Sequence, residues 1–206
     1  KILEVERKFT PTTTSISLLR ANTGSPPFKA HAPLGISYTH NVYFDHVAYR
    51  DLFMSRGIYI RQRNGFWEAK ARLGGDFVNS KFTEYMGSEA VQGVVTEVLA
   101  NAGLQNGRVR YVEEMEGLKG LSPIANFVTR RETWEVEDYK VVADETDFGC
   151  KVGEVELTDT VREGWDVTKV GEMMDKRIER FMERHYWAFP VTAKEVQGKL
   201  TAYFDR

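Results

Sequence analysis

The segment Glu4-Val5-Glu6-Arg7-Lys8-Phe9 alternates charged side chains with others at a period of two. In a β-strand, alternate residues share a face, so Glu4, Glu6 and Lys8 fall on one side and Val5, Arg7 and Phe9 on the other. The pattern returns late in the chain as Val152-Gly153-Glu154-Val155-Glu156-Leu157, with Glu154 and Glu156 on one face and Val155 and Leu157 on the other. A single strand of this kind suits a half-buried sheet with a solvated charged face. Several such strands in one chain ask for more.

Between them lies the strongest hairpin signal, Asn64-Gly65, flanked by predicted strands Gly57 to Arg63 and Phe66 to Leu73. A two-residue turn there sets Arg63 opposite Phe66, Arg61 opposite Glu68 and Tyr59 opposite Lys70, all on one face. Further strands are predicted over Ser37 to Asp45, Phe77 to Tyr85, Asn126 to Glu137, Lys140 to Asp144 and Lys151 to Thr158. Gly74-Gly75-Asp76 ends the second arm of the hairpin, and Asn22 to Pro33 reads as a loop. Helical spacing marks a helix capped by Ser88 and closed by Gly103, carrying Val91, Val94, Val95 and Val98. A second runs from about Thr168 to Tyr186 with Val170, Met173, Met174, Ile178, Phe181 and Met182. Thr192-x-x-Glu195 reads as the capping box of a short C-terminal helix. With 206 residues and no composition break, residues 1–206 form one domain in this reading.

Acids concentrate on the first and late strands and bases on the hairpin, while the opposite faces suit packing under helices. If helices cover the apolar faces of a curled sheet, the charged faces meet inside. Unpaired buried charges cost several kcal/mol each, so such an interior must hold water, cations and a charged ligand. Carboxylates without His or Cys suit a hard cation such as Mg²⁺. Clustered Arg and Lys suit phosphate oxygens, so a metal with a polyphosphate satisfies both sets.

The segments that carry these charges resemble the CYTH proteins, also called triphosphate tunnel metalloenzymes. Glu4-x-Glu6-x-Lys8 is similar to their ExExK signature. The remainder follows in order: Tyr43-Phe44-Asp45, Ile60-Arg61-Gln62-Arg63, Trp67-Glu68-Ala69-Lys70, Thr83-Glu84-Tyr85, Phe127-Val128-Thr129-Arg130-Arg131, Asp144, Asp147-Phe148-Gly149, Gly153-Glu154-Val155-Glu156 and Lys199-Leu200. Within the family the wording resembles the thiamine triphosphatases most. Residues Asn106 to Leu121 match the family poorly. The resemblance implies an α+β, mainly β fold: an eight-stranded antiparallel β-barrel forming a triphosphate tunnel, with helices packed outside. It implies that Glu4, Glu6, Asp144, Glu154 and Glu156 hold Mg²⁺, with Mn²⁺ as a substitute. Lys8, Arg61, Arg63, Lys70, Arg131 and Lys199 would bind the triphosphate. Tyr59 stands where mammalian relatives carry tryptophan and would stack on thiamine. Lys8, Lys70 and Tyr43 would handle protons.

The activity implied is Mg²⁺-dependent hydrolysis of a terminal phosphate, with thiamine triphosphate going to thiamine diphosphate and orthophosphate. Inorganic triphosphatase activity on tripolyphosphate is the alternative, adenylate cyclase a third enzymatic reading, and a non-catalytic polyphosphate-binding domain the reading from another class. Asp147-Phe148-Gly149 also spells a kinase motif, but no HRD loop or Gly-rich phosphate loop accompanies it. The partner expected is a small-molecule triphosphate; 28 basic against 30 acidic side chains, net charge −2, offer nucleic acid no basic excess. No apolar run approaches the roughly 18 residues of a membrane span and no signal-peptide pattern opens the chain, so a cytoplasmic location is expected. Cys150 is the single cysteine, which excludes an intrachain disulfide. His31, His40, His46 and His185 lack metal-ligand spacing and are expected at surface or loop positions.

Overall fold

The computed structural model describes residues 1–75, 79–104, 120–191 and 196–206. Its strands are β1 (Ile2–Phe9), β2 (His31–His46), β3 (Ile58–Arg63), β4 (Phe66–Gly75), β5 (Asn79–Met86), β6 (Leu121–Val136), β7 (Tyr139–Thr146) and β8 (Lys151–Thr160). They form a closed antiparallel barrel in the order β1-β5-β4-β3-β2-β6-β7-β8. The helices are α1 (Thr13–Ala21), α2 (Ser88–Asn101), α3 (Val167–Arg184) and α4 (Lys199–Phe204), with a 3-10 turn at Met54–Arg56. The fold is thus α+β and mainly β, an eight-stranded barrel with helices on its apolar side. Among the described residues no helix is long and apolar enough to cross a membrane.

The chain divides into two compact units, one comprising Lys1–Thr39, Leu73–Phe82 and Val128–Arg206, the other His40–Arg72 and Thr83–Phe127. In the first, β1 runs antiparallel to β8, with Glu4 beside Thr158, Glu6 beside Glu156 and Lys8 beside Glu154. The odd positions Leu3, Val5 and Phe9 are fully buried in an apolar cluster with Trp134, Val141, Val155, Leu157 and the α3 residues Met174, Ile178 and Phe181. Arg7 shares that side yet is accommodated: its Nε donates to Asp175 at 2.7 Å and its Nη1 to Glu179 at 3.0 Å, both on α3. Gly153 lies opposite Phe9, and a Cβ there would sit 2.2 Å from the ring, so the glycine of Val-Gly-Glu-Val-Glu makes room for an aromatic.

In the second unit, β3 and β4 pair as the Asn64-Gly65 turn predicts: Arg63 with Phe66, Arg61 with Glu68, Tyr59 with Lys70. Ile60, Ala69, Phe53 and Leu52 pack with Val91, Val95 and Val98 of α2. Asp45 is buried and ends in the loop below rather than in a site: its carboxylate accepts from the backbone N–H of His46, Phe53 and Met54.

Several boundaries differ from the sequence reading. α1 was not expected; Thr12 caps it, with the Thr12 and Ser15 side chains bonding each other's backbone N–H. β2 begins at His31, inside the predicted loop, and accommodates Pro33. The N-cap of α2 is Gly87, at φ +89°, and Ser88 is its first residue. α3 ends at Arg184, two residues before Tyr186, and Met173 is exposed although it fits the apolar spacing. His46 and His185 are buried, against the expectation. The His46 Nδ1 accepts from the N–H of Ala48 and Tyr49, and the His185 ring lies among Phe28, Phe181 and Trp187. Asp76, the start of the strand at Phe77 and the Thr192–Glu195 capping box lie outside the described residues.

Placing a charge at Val5 strands it in the apolar cluster, while Arg7 on the same side is already engaged by Asp175 and Glu179. Val5→Asp is expected to destabilise by about 3 kcal/mol or more and to reduce soluble yield, while Val5→Ile stays near the native value. Denaturant unfolding curves check this, and a harmless Val5→Asp would reverse the facing of β1.

Candidate functional site

The first unit gathers a charge cluster from four strands and a helix. Adjacent positions on β6 and β7 put Arg131 opposite Asp144. The guanidinium grips the carboxylate with two bonds, Nε to Oδ1 and Nη2 to Oδ2, each 2.7 Å. Lys199, from α4, donates to the same Asp144 at 2.6 Å and to Glu154 of β8 at 3.3 Å. Lys140 of β7 bonds Glu156 at 2.8 Å, and Lys8 pairs with Glu6 two residues away. Strand parity explains the sorting: Arg131 enters the cluster, whereas Arg130, one residue earlier, faces the other way towards Glu132. Glu4, Glu6, Lys8, Asp144, Glu154 and Glu156 are all buried.

Burial opposes charge on Asp144, Lys199 and Glu156, and their neighbours decide the outcome. For Asp144, Lys199 and Arg131 overcome burial and hold the carboxyl below its ordinary value. The same carboxylate, with Glu154, lifts Lys199 above the ordinary lysine range despite burial. Glu156 is the exception. Burial and the charges of Glu4 and Glu154 push its carboxyl up, over the opposition of Arg131 and Lys140.

The second unit holds the hairpin cluster. Arg61 is buried and donates to Glu68 through Nε at 2.8 Å and Nη2 at 2.7 Å, while its Nη1 donates to the Tyr43 hydroxyl at 3.2 Å. Arg63 stands 3.8 Å from the other Glu68 oxygen, and Lys70 lies 3.3 Å from Glu84. Burial disfavours the Glu68 charge, but Arg61 and Arg63 hold its carboxyl below the ordinary range. Tyr59 sits beside Lys70, and its hydroxyl is 3.5 Å from Arg72.

The structure therefore brings Glu4, Glu6, Lys8, Arg131, Asp144, Glu154, Glu156 and Lys199 together in one unit, and Tyr43, Tyr59, Arg61, Arg63 and Lys70 in the other. Three partners were not foreseen as site residues. Glu68 was placed opposite Arg61 by the hairpin register, so the signal was present and unused. Glu84 and Lys140 are set by pairing between strands whose register the sequence does not give. Cys150 is partly buried, and burial pushes its thiol up, against the direction a nucleophilic cysteine needs.

The acids of the first unit supply only carboxylate oxygens, the donor type a hard divalent cation takes. Among the described residues no three His, Cys, Asp or Glu side chains are gathered into a preformed metal set, because bases stand between the acids. Burial, with the charges of Glu4 and Glu154, sets the raised Glu156 carboxyl apart from Asp144 in this cluster.

The sequence profile described as the CYTH domain matches residues 3–182. Among solved structures, the chain is similar to a putative adenylyl cyclase from Hippeastrum, described as revealing a dominant triphosphatase activity, at TM-score 0.55 and 16% identity over 100% of this chain and 96% of that one. A Pyrococcus horikoshii protein aligns at TM-score 0.55 and 14% identity, covering 98% of each chain. A putative adenylate cyclase from Vibrio parahaemolyticus aligns at 0.55 and 12%, covering 99% of this chain and 98% of that one. Identities this low speak for the fold.

The Glu156 carboxyl yields a pH test. Its folded value exceeds its unfolded one, so the native state holds a proton that the unfolded chain has released; stability falls as pH rises through the folded value. Glu156→Gln, in chelator, is expected to melt higher than the native chain at pH 8, by about 2 °C or more. The two should converge as pH falls towards roughly 4, the unfolded glutamate value. Loss of the Lys140 pair subtracts little, since that ammonium is half exposed. A Glu156→Gln chain that melts lower at pH 8 would contradict the assignment.

Proposed function

We propose that this chain, which belongs to the CYTH domain family, hydrolyses the terminal phosphate of a small triphosphate, with inorganic tripolyphosphate as the preferred substrate. The observation that carries the reading is the β3–β4 register, which lines Arg61, Arg63 and Lys70 along one face, with an acid beside each. Three bases on one face of a strand pair suit the several charges of a phosphate chain, and their acids keep the donors aimed before a ligand arrives.

Arg61, Arg63 and Lys70 would take phosphate oxygens; Lys8, Arg131 and Lys199 are the further bases that the family resemblance assigns to the triphosphate. Water would attack the terminal phosphorus in line; the bridging P–O bond breaks, diphosphate leaves, and the proton of the water is released. Charge spreads over the equatorial oxygens in such a transition state, and fixed guanidinium and ammonium groups stabilise it without reorganising. Lys8, Lys70 and Tyr43 would handle protons, and the Tyr43 hydroxyl, which accepts from Arg61, would also orient a phosphate oxygen. Glu4, Glu6, Asp144, Glu154 and Glu156 would hold Mg²⁺ or Mn²⁺, which neutralises phosphate charge and acidifies bound water.

Tyr59 supports the inorganic substrate over thiamine triphosphate. Thiamine carries a permanent thiazolium charge, and Tyr59 lies across the strand pair from Lys70 and accepts from Arg72 at its hydroxyl, two cations that disfavour a third nearby. Thiamine triphosphate is the second reading, resting on the wording of the sequence.

Phosphate release from tripolyphosphate, thiamine triphosphate and ATP, each with Mg²⁺, is expected to be fastest for tripolyphosphate. A preference for thiamine triphosphate would restore the second reading, and no release from any of them would leave a binding domain. Excess EDTA should abolish turnover and added Mg²⁺ restore it; full turnover in EDTA overturns the metal-assisted reaction.

Arg63→Ala should lower kcat/KM by roughly 10² through loss of a charge-assisted contact. Arg61→Ala should do the same but also lose stability, because it strands Glu68. Near-normal kinetics for Arg63→Ala would remove that side chain from the site.

A further inference from the structure

We propose that Phe148, in the turn between β7 and β8, is a positioning residue for Lys199. Its kinetic consequence rests on the triphosphatase reading; the placement rests on geometry alone. The segment Asp147-Phe148-Gly149 finds no use in the chemistry above, yet each residue has a task. Asp147 pins the turn to β6: its N–H donates to the Val128 carbonyl and its carboxylate accepts from the Val128 N–H, both at 3.0 Å. Gly149, at φ +90°, lets the chain reverse, and its N–H donates to the Thr146 carbonyl at 2.9 Å.

Phe148 lies between these anchors, and its ring meets Tyr203 of α4 edge-on with centroids 5.6 Å apart. The Arg206 guanidinium covers both rings, 3.8 Å from the Tyr203 centroid and 5.3 Å from that of Phe148. Lys199 and Tyr203 are four residues apart and share one face of α4. One end of that face therefore rests on Phe148 while the other delivers the ammonium to Asp144 and Glu154. Both resting places belong to one rigid piece of chain, since Asp144 precedes Phe148 by four residues at the end of β7.

α4 has 6 residues, too few to hold helical form by itself. Its order comes from what it docks against: the buried Leu200, the Lys199 ion pairs and the Phe148 ring. Without the ring, the Lys199 stem recovers rotamer freedom and the ammonium no longer arrives pre-placed.

The experiment compares Phe148→Ala, Phe148→Tyr and Tyr203→Ala with the native chain. Deuterium uptake at residues 199–204 is expected to quicken about tenfold in both alanine variants, the factor matching loss of an aromatic pair. Uptake in β8 should stay native, and Phe148→Tyr should behave as native. Unchanged uptake in α4 for Phe148→Ala and Tyr203→Ala overturns the placement.

The kinetic arm measures KM and kcat for tripolyphosphate with Mg²⁺ in Phe148→Ala, Lys199→Met and the double variant. Each single variant should raise KM, and the double variant should match Lys199→Met, because Phe148 acts only through that ammonium. Fold-changes that multiply overturn the positioning role. A native chain that releases no phosphate sinks the triphosphatase reading instead, and the uptake measurement still decides the placement.

Discussion

Asp144 is buried with one oxygen on a guanidinium and the other shared between that guanidinium and an ammonium. Through these bonds a single carboxylate on β7 joins β6, by Arg131, and α4, by Lys199; Lys199 then reaches Glu154 on β8. Stripping away either base would leave a buried charge uncompensated, at a cost of about 3–5 kcal/mol. The cluster is thus held in form by its own electrostatics, with the apolar layer of Val141, Val155, Leu157 and α3 on the other side of the same strands. One set of strands carries a dry face and an ionic face, and the period of two keeps them apart.

The hairpin unit follows the same rule with the roles exchanged. Here the bases are the groups that the proposed function offers to a ligand, and acids brace them. Glu68 is doubly bonded to Arg61 and close to Arg63, so two forks keep one orientation without a ligand. Under the proposed function an arriving phosphate would meet donors already aimed, which would remove part of the ordering cost of binding. Read from the sequence, these bases go to phosphate and their braces are left out, although the hairpin register already sets Glu68 opposite Arg61.

What the sequence made legible was whatever depends on local geometry. The Asn64-Gly65 turn fixes its own register, so every pair of β3 and β4 could be read from the chain. The facing of β1 and β8 followed from alternation, because an error of one residue would have turned Val5 and Val155 out and Glu4 and Glu154 into the apolar cluster. Less legible were features that depend on distant partners. α1 is short, and Thr12-x-x-Ser15 lacks the glutamate that usually announces a capping box. β2 carries Pro33, which argues against strand by itself. His185 looks polar in a list of residues, but folds into an aromatic nest from segments more than a hundred residues apart. Which of the adjacent Arg130 and Arg131 enters the acid cluster became plain only through the pairing with β7.

The barrel closes partly through β1 and β8, joining Ile2 to Thr160 and Phe9 to Gly153. Loop closure over such a separation is entropically the costliest contact in the ladder, and topologies dominated by distant contacts fold slowly. Pairing of β1 with β8 is therefore expected late in folding. Before it forms, the register that β8 offers its own β1 is equally open to the β1 of a second molecule. Concentrated refolding thus sets strand exchange between molecules in competition with closure within one.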